Sequence, residues 1–169
     1  MKKFSNHELV VIKKLIGLGS AFLCLLMMLF NFIEYTSSSS LLSGGTITES
    51  EGVSLINFLF NKNHEVFDGN VEILRDVFGY SYVVMWIVFI LSIVSVILLA
   101  IGFFMKQGMI SKIGSSVSLG TVVLLMTLTF NRYSIGSTVR YLDVFTWIYG
   151  IIVIISGIGF VSTITLKDK

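Results

Sequence analysis

Four long stretches of the chain carry no charged side chain: 15–33, 77–105, 113–131 and 144–166, of 19, 29, 19 and 23 residues. At about 1.5 Å per residue the shortest covers about 28 Å of helix, close to the roughly 30 Å hydrocarbon thickness of a bilayer. Unpaired backbone polar groups are costly in lipid, so each window predicts a transmembrane α-helix. The second is longer than a span requires, and its membrane part is placed at 82–105. The expected fold is an all-α membrane protein, a four-transmembrane-helix bundle with a small extracellular cap. A cleaved signal peptide over the first window is the rival reading. Its apolar core is long for that role, and no A-x-A site follows it.

Composition agrees with lipid as the main solvent: 54% of residues are apolar, 13% are charged, and mean hydropathy is +0.90. A water-soluble domain would keep about a quarter of its residues charged. The basic residues also order the segments. Lys2, Lys3, Lys13, Lys14, Lys106, Lys112, Lys167 and Lys169 fall on one side of the four spans with Glu8 and Asp168, a net +6. Lys62, Arg75, Arg132 and Arg140 fall on the other with eight acids, a net −4. The positive-inside rule puts the first side in the cytoplasm. Segments 1–14, 106–112 and 167–169 are then cytoplasmic, and 34–81 and 132–143 external, in a multi-pass protein of the cell membrane. Tyr35, Tyr80, Tyr82, Trp86, Tyr133, Tyr141, Trp147 and Tyr149 gather near the outer interface as an aromatic belt.

The segment 34–81 is the one place long enough for structure outside the membrane. Gly44-Gly45, between Ser- and Thr-rich runs, fits either a two-residue hairpin turn or a flexible linker. Thr48 to Glu51 has capping-box spacing ahead of Val53, Leu55, Ile56, Phe58 and Leu59, which predicts a short helix. Asn70 fits the cap of another helix leading toward the second span. Ser5 and Glu8 have the same capping-box spacing ahead of the first span, which predicts an amphipathic helix start whose Lys13 and Lys14 meet anionic headgroups.

No Asp, Glu, Lys, Arg or His lies well inside any window, which argues against a coupled pump. The third span instead holds small and hydroxyl residues. Gly114 with Ser118, and Ser116 with Gly120, are small-xxx-small pairs whose usual role is close helix packing. Gly114, Ser118 and Gly120 are therefore candidate helix or partner contacts, and Glu49, Glu51 and Phe58 candidate contacts on the cap. Arg132 and Arg140 could hold an anionic headgroup or pair with nearby acids. His64, Glu65, Asp68 and Glu72 read as a solvated acidic turn rather than a metal site, because the rest of a calcium loop is missing. Cys24 lies deep in an apolar span with no base predicted beside it. No catalytic motif, metal site, cofactor-binding pattern or basic folded face for nucleic acid is found.

Four spans with both ends inside, a long first outer loop and a shorter second one resemble the claudin-type layout. The Trp-rich motif and paired Cys of the claudin first loop are absent, so the resemblance implies neither its disulfide nor its junction-forming activity. The passage 35–59, a Ser/Gly-rich run into a short apolar segment, is similar to small four-span proteins of Gram-positive-type bacteria. No functional residue transfers from either. The expected partners are the lipid bilayer and another membrane or envelope protein, or a second copy of the chain. The expected function is non-enzymatic: an accessory subunit of a transporter or secretion complex, or an immunity-type protector. The alternatives are an oligomeric channel or membrane-permeabilising protein, and a lipid-binding or lipid-modifying enzyme built on Arg132 and Arg140.

Overall fold

The first helix opens on the Ser5–Glu8 capping box: the Ser5 amide donates to Glu8 Oε2 at 2.7 Å, and the Glu8 amide donates to Ser5 Oγ at 3.3 Å. The computed structural model describes residues 5–40, 46–61, 65–66, 69–70, 80–129, 140–144 and 146–166. Its elements are α1 (Asn6–Met27), β1 (Asn31–Ser40), β2 (Thr46–Ser54), α2 (Leu55–Phe60), β3 (Glu65–Val66), β4 (Gly69–Asn70), α3 (Tyr80–Phe104), α4 (Gly108–Thr129), β5 (Arg140–Val144) and α5 (Thr146–Ile164). Helices α1, α3 and α4 are long and apolar enough to cross a membrane, and α5 is a shorter apolar helix. The chain is a multi-pass helical membrane protein.

Helix α1 is displaced toward the N-terminus relative to the window 15–33. Lysine is a good helix former, so Lys13 and Lys14 do not interrupt a helix that the capping box has already started. At the other end Asn31 opens β1, where Asn31 and Ile33 pair with Ser54 and Val53 of β2.

One compact unit comprises Met1–Leu26, Val88–Leu124 and Gly150–Lys169. Its buried positions recur with alternating three- and four-residue spacing: Lys14, Gly17, Ala21 and Cys24 on α1; Val88, Ser92, Ser95, Leu99 and Gly102 on α3; Ile152, Ser156, Gly159, Thr163 and then Leu166 along α5. That spacing is the seam of knobs-into-holes packing. The opposite faces, such as Ile90, Ile97 and Ile101 on α3 and Ile154, Ile158 and Val161 on α5, are exposed and apolar, as a lipid-facing surface requires.

The other unit comprises Met27–Ile87 and Leu125–Tyr149. It holds a three-stranded antiparallel sheet in the order β2-β1-β5 and the small β3–β4 pair. Helix α2 starts at Leu55, later than the Thr48–Glu51 spacing predicts. Thr46, Ile47 and Thr48 are β-tolerant residues that pair with β1, and Ser54 supplies the cap by accepting the Asn57 amide at 3.2 Å. Val53, Leu55, Phe58 and Leu59 are buried, and Phe58 and Phe60 meet Tyr82 and Trp86 edge to face at centroid distances of 6.1 and 5.0 Å. The hairpin turn at Gly44-Gly45 and the helix predicted after Asn70 lie outside the described residues; Asn70 itself pairs with Glu65 in β4.

The tightest helix approach is testable. A Cβ on Gly159 would collide with the Ser20 side chain, whereas nothing lies within 4 Å of one on Gly19. Gly159→Val should therefore lose about 1–3 kcal/mol of stability in detergent-based thermal or denaturant unfolding. Gly19→Ala should stay within about 0.5 kcal/mol of the native chain.

Candidate functional site

At one end of the first unit, two consecutive lysines of α1 each reach the C-terminal end of a different helix. Helices α3 and α5 have no basic residue in their own last turns, where unpaired carbonyls gather partial negative charge. Lys14 Nζ donates to the Gly102 carbonyl of α3 at 3.0 Å, and the residue is only 6% exposed. Lys13 Nζ donates to the Thr165 carbonyl at 3.2 Å and to Thr165 Oγ1 at 2.9 Å, while Ser162 Oγ donates back to the Lys13 carbonyl at 2.8 Å. The start of α1 thus lies beside the ends of α3 and α5, so α1 runs antiparallel to both.

Along the α1–α5 contact the side chains shrink so the backbones can approach. A Cβ on Gly17 would collide with Thr163 Cγ2 and would lie 3.8 Å from the Gly159 carbonyl. Thr163 Oγ1 donates to its own helix at Gly159, 3.0 Å, and Ser20 Oγ to Gly17, 2.8 Å, so the hydroxyls satisfy themselves while filling little space. Farther along, Cys24 Sγ lies 3.7 Å from the Ile152 carbonyl as a weak donor. The α3–α4 contact follows the same rule. A Cβ on Gly102 would lie 2.7 Å from the Ser111 nitrogen, and one on Gly114 would lie 3.0 Å from Leu98 Cβ and the Leu99 nitrogen. Ser95 Oγ donates to the Gly114 carbonyl at 3.0 Å, a hydrogen bond between helices.

The three residues of α4 singled out from the sequence separate in space. Gly114 is buried against α3, and Ser118 Oγ faces Ser156 Oγ of α5 at 3.5 Å. Gly120 is exposed, with nothing within 4 Å of an added Cβ, and Ser116 on the same outward side is exposed with its hydroxyl turned to the Lys112 carbonyl. Phe58 is fully buried in α2. Glu49 and Glu51 stand in β2 opposite Ser37 and Tyr35 of β1, and Arg140 opens β5 opposite Ser37 on the other edge of β1. Arg132, His64, Asp68 and Glu72 lie outside the described residues. Among the described residues no three His, Cys, Asp or Glu side chains converge as metal ligands would.

Sequence reasoning placed Lys14 at the headgroups and missed its inward role. The signal was its spacing from Gly17, Ala21 and Cys24, which puts it on their helix face. Ser95 and Thr163 were missed too, since single hydroxyls in apolar spans carry no pattern of their own. No family model, no curated protein and no solved structure matches the chain.

Replacing Lys14 by Met removes a charged donor from a buried carbonyl and should cost about 1–3 kcal/mol in unfolding measurements in detergent. Lys13→Met, at a more exposed contact, should cost less than about 1 kcal/mol.

Proposed function

We propose that this chain is a non-enzymatic membrane protein that acts by contact with another membrane protein or a second copy of itself, through the outward face of α4 around Ser116 and Gly120. In the proposed orientation the lysine-rich end faces the cytoplasm, following the positive-inside asymmetry. The observation that carries the reading is the division of the small residues. Gly17, Gly102, Gly114 and Gly159 all approach a neighbouring helix closely, while Gly19, Gly120, Gly150 and Gly157 have open space in front of them, and of these Gly120 stands in small-xxx-small spacing with the exposed Ser116. Close approach of a partner helix is what a small residue on an exposed transmembrane face permits.

The reading is preferred over a hydroxyl-lined conduit because the hydroxyls on the inner face of α4 have partners at hand. Thr121 Oγ1 donates to the Val117 carbonyl at 2.8 Å, and Ser118 meets Ser156. An accessory subunit or an immunity-type protector fits such a contact protein.

Gly120→Leu should leave the unfolding midpoint of the isolated chain unchanged while abolishing cross-linking from a photoreactive residue at position 116 in native membranes. Gly114→Leu should instead unfold the chain. If position 116 cross-links to lipid alone in the native protein, the contact reading fails.

A further inference from the structure

The turn between α3 and α4 departs from two local preferences at once. Lys106 has a φ of 56°, the left-handed region that closes helices and usually falls to glycine or asparagine. Lys106 stands two residues past the end of α3 and two before the start of α4, and Lys112 lies in the second turn of α4, which has no acidic residue in its first. Second, Phe104, Met105 and Met109 are 78%, 61% and 69% exposed around the same turn. Both departures are unfavourable for a turn that meets only water.

The surroundings indicate what offsets them. The turn joins two helices long enough to cross the membrane, so it lies at a bilayer surface. Its apolar residues continue the exposed lipid-facing positions Ile97 and Ile101 of α3 and Ile113 of α4. Lys13 and Lys14 add positive charge at the same end, and among the described residues of this unit the acid present is Glu8, hydrogen-bonded to Ser5. A bilayer containing anionic lipid supplies negative phosphates and hydrocarbon within a few ångströms of each other. A soluble anion or an acidic protein segment supplies the charge without the hydrocarbon.

We propose that the α3–α4 turn is an anionic phospholipid site, in which Lys106 meets the headgroup phosphate while Phe104, Met105 and Met109 seat among the upper acyl chains. The site is separate from the Ser116–Gly120 face, and neither requires the other.

The test is thermal unfolding of the full chain in neutral maltoside micelles titrated with phosphatidylglycerol or phosphatidylcholine. Phosphatidylglycerol should raise the unfolding temperature well beyond phosphatidylcholine, and high salt should shrink the difference, because exposed charges are screened. Lys106→Gln should raise the phosphatidylglycerol concentration giving half the effect about fivefold, as expected for one lysine at an anionic surface. Lys106→Gly should raise the lipid-free unfolding temperature, because glycine accepts this φ, and should show the same fivefold loss of lipid response. Met109→Ser should weaken the response with every charge kept. An equal response to phosphatidylcholine, or an unchanged phosphatidylglycerol response in both Lys106 variants, overturns the site. So does equal stabilisation by inorganic phosphate or by an acidic peptide, which would assign the turn to a soluble anion or a protein partner.

Discussion

Helix ends in a low-dielectric environment must find donors for carbonyls that water would otherwise satisfy, and the arrangement of the helix unit follows from how this chain meets that need. Helices α3 and α5 end without a basic residue of their own, and both are served by adjacent lysines of α1. Two consecutive residues on one helix point about 100° apart, so a single pair can address two neighbours. Once Lys13 is held at Thr165 and Lys14 at Gly102, the axial register of α1 against both partners is fixed. Gly17 then falls beside Thr163, Ser20 beside Gly159, and Cys24 beside Ile152.

Register matters because apolar side chains in lipid gain little by leaving it for one another. Association rests on close van der Waals fit and on hydrogen bonds between helices, each of the latter worth about 0.6 kcal/mol on average. A slip of one residue would bring Leu18 or Phe160 to a crossing now occupied by glycine, and the helices would separate. Small residues therefore pack only where polar anchors have set the register, and hydroxyls such as Ser95 both fill a small volume and satisfy a facing carbonyl.

The helices themselves were legible as charge-free windows, since lipid leaves the backbone few alternatives. Their faces were harder to read. In a helix apolar all round, i and i+4 pairs of small residues look alike wherever they point, so Gly114 and Gly120 could not be told apart. The structure separates them because Gly114 shares the seam of Ser111 and Ser118, while Gly120 lies off it. Lys14 was read by its charge as a headgroup contact, although its spacing from Gly17 and Ala21 already placed it inward. The pairing of β1 with β5 joins residues more than a hundred positions apart, and such contacts leave no local mark in a sequence. The helix start moved from the expected Thr48 to Leu55 because strand pairing competed with a cap that was locally sound.

The lysine-rich end uses one kind of charge in two settings. Lys13 and Lys14 sit at the negative ends of α5 and α3, where a cation is stabilised by the helix and needs nothing from outside. Lys106 lies in the turn between α3 and α4 and holds a backbone conformation that resists its side chain. Nothing in helix packing requires a lysine at position 106, because glycine would close α3 at lower cost. A residue kept against its backbone preference is best explained by an interaction beyond the fold. The exposed Phe104, Met105 and Met109 around it indicate that this interaction has an apolar component as well as a charged one. The membrane surface, already adjacent to the turn, is the nearest partner to combine the two.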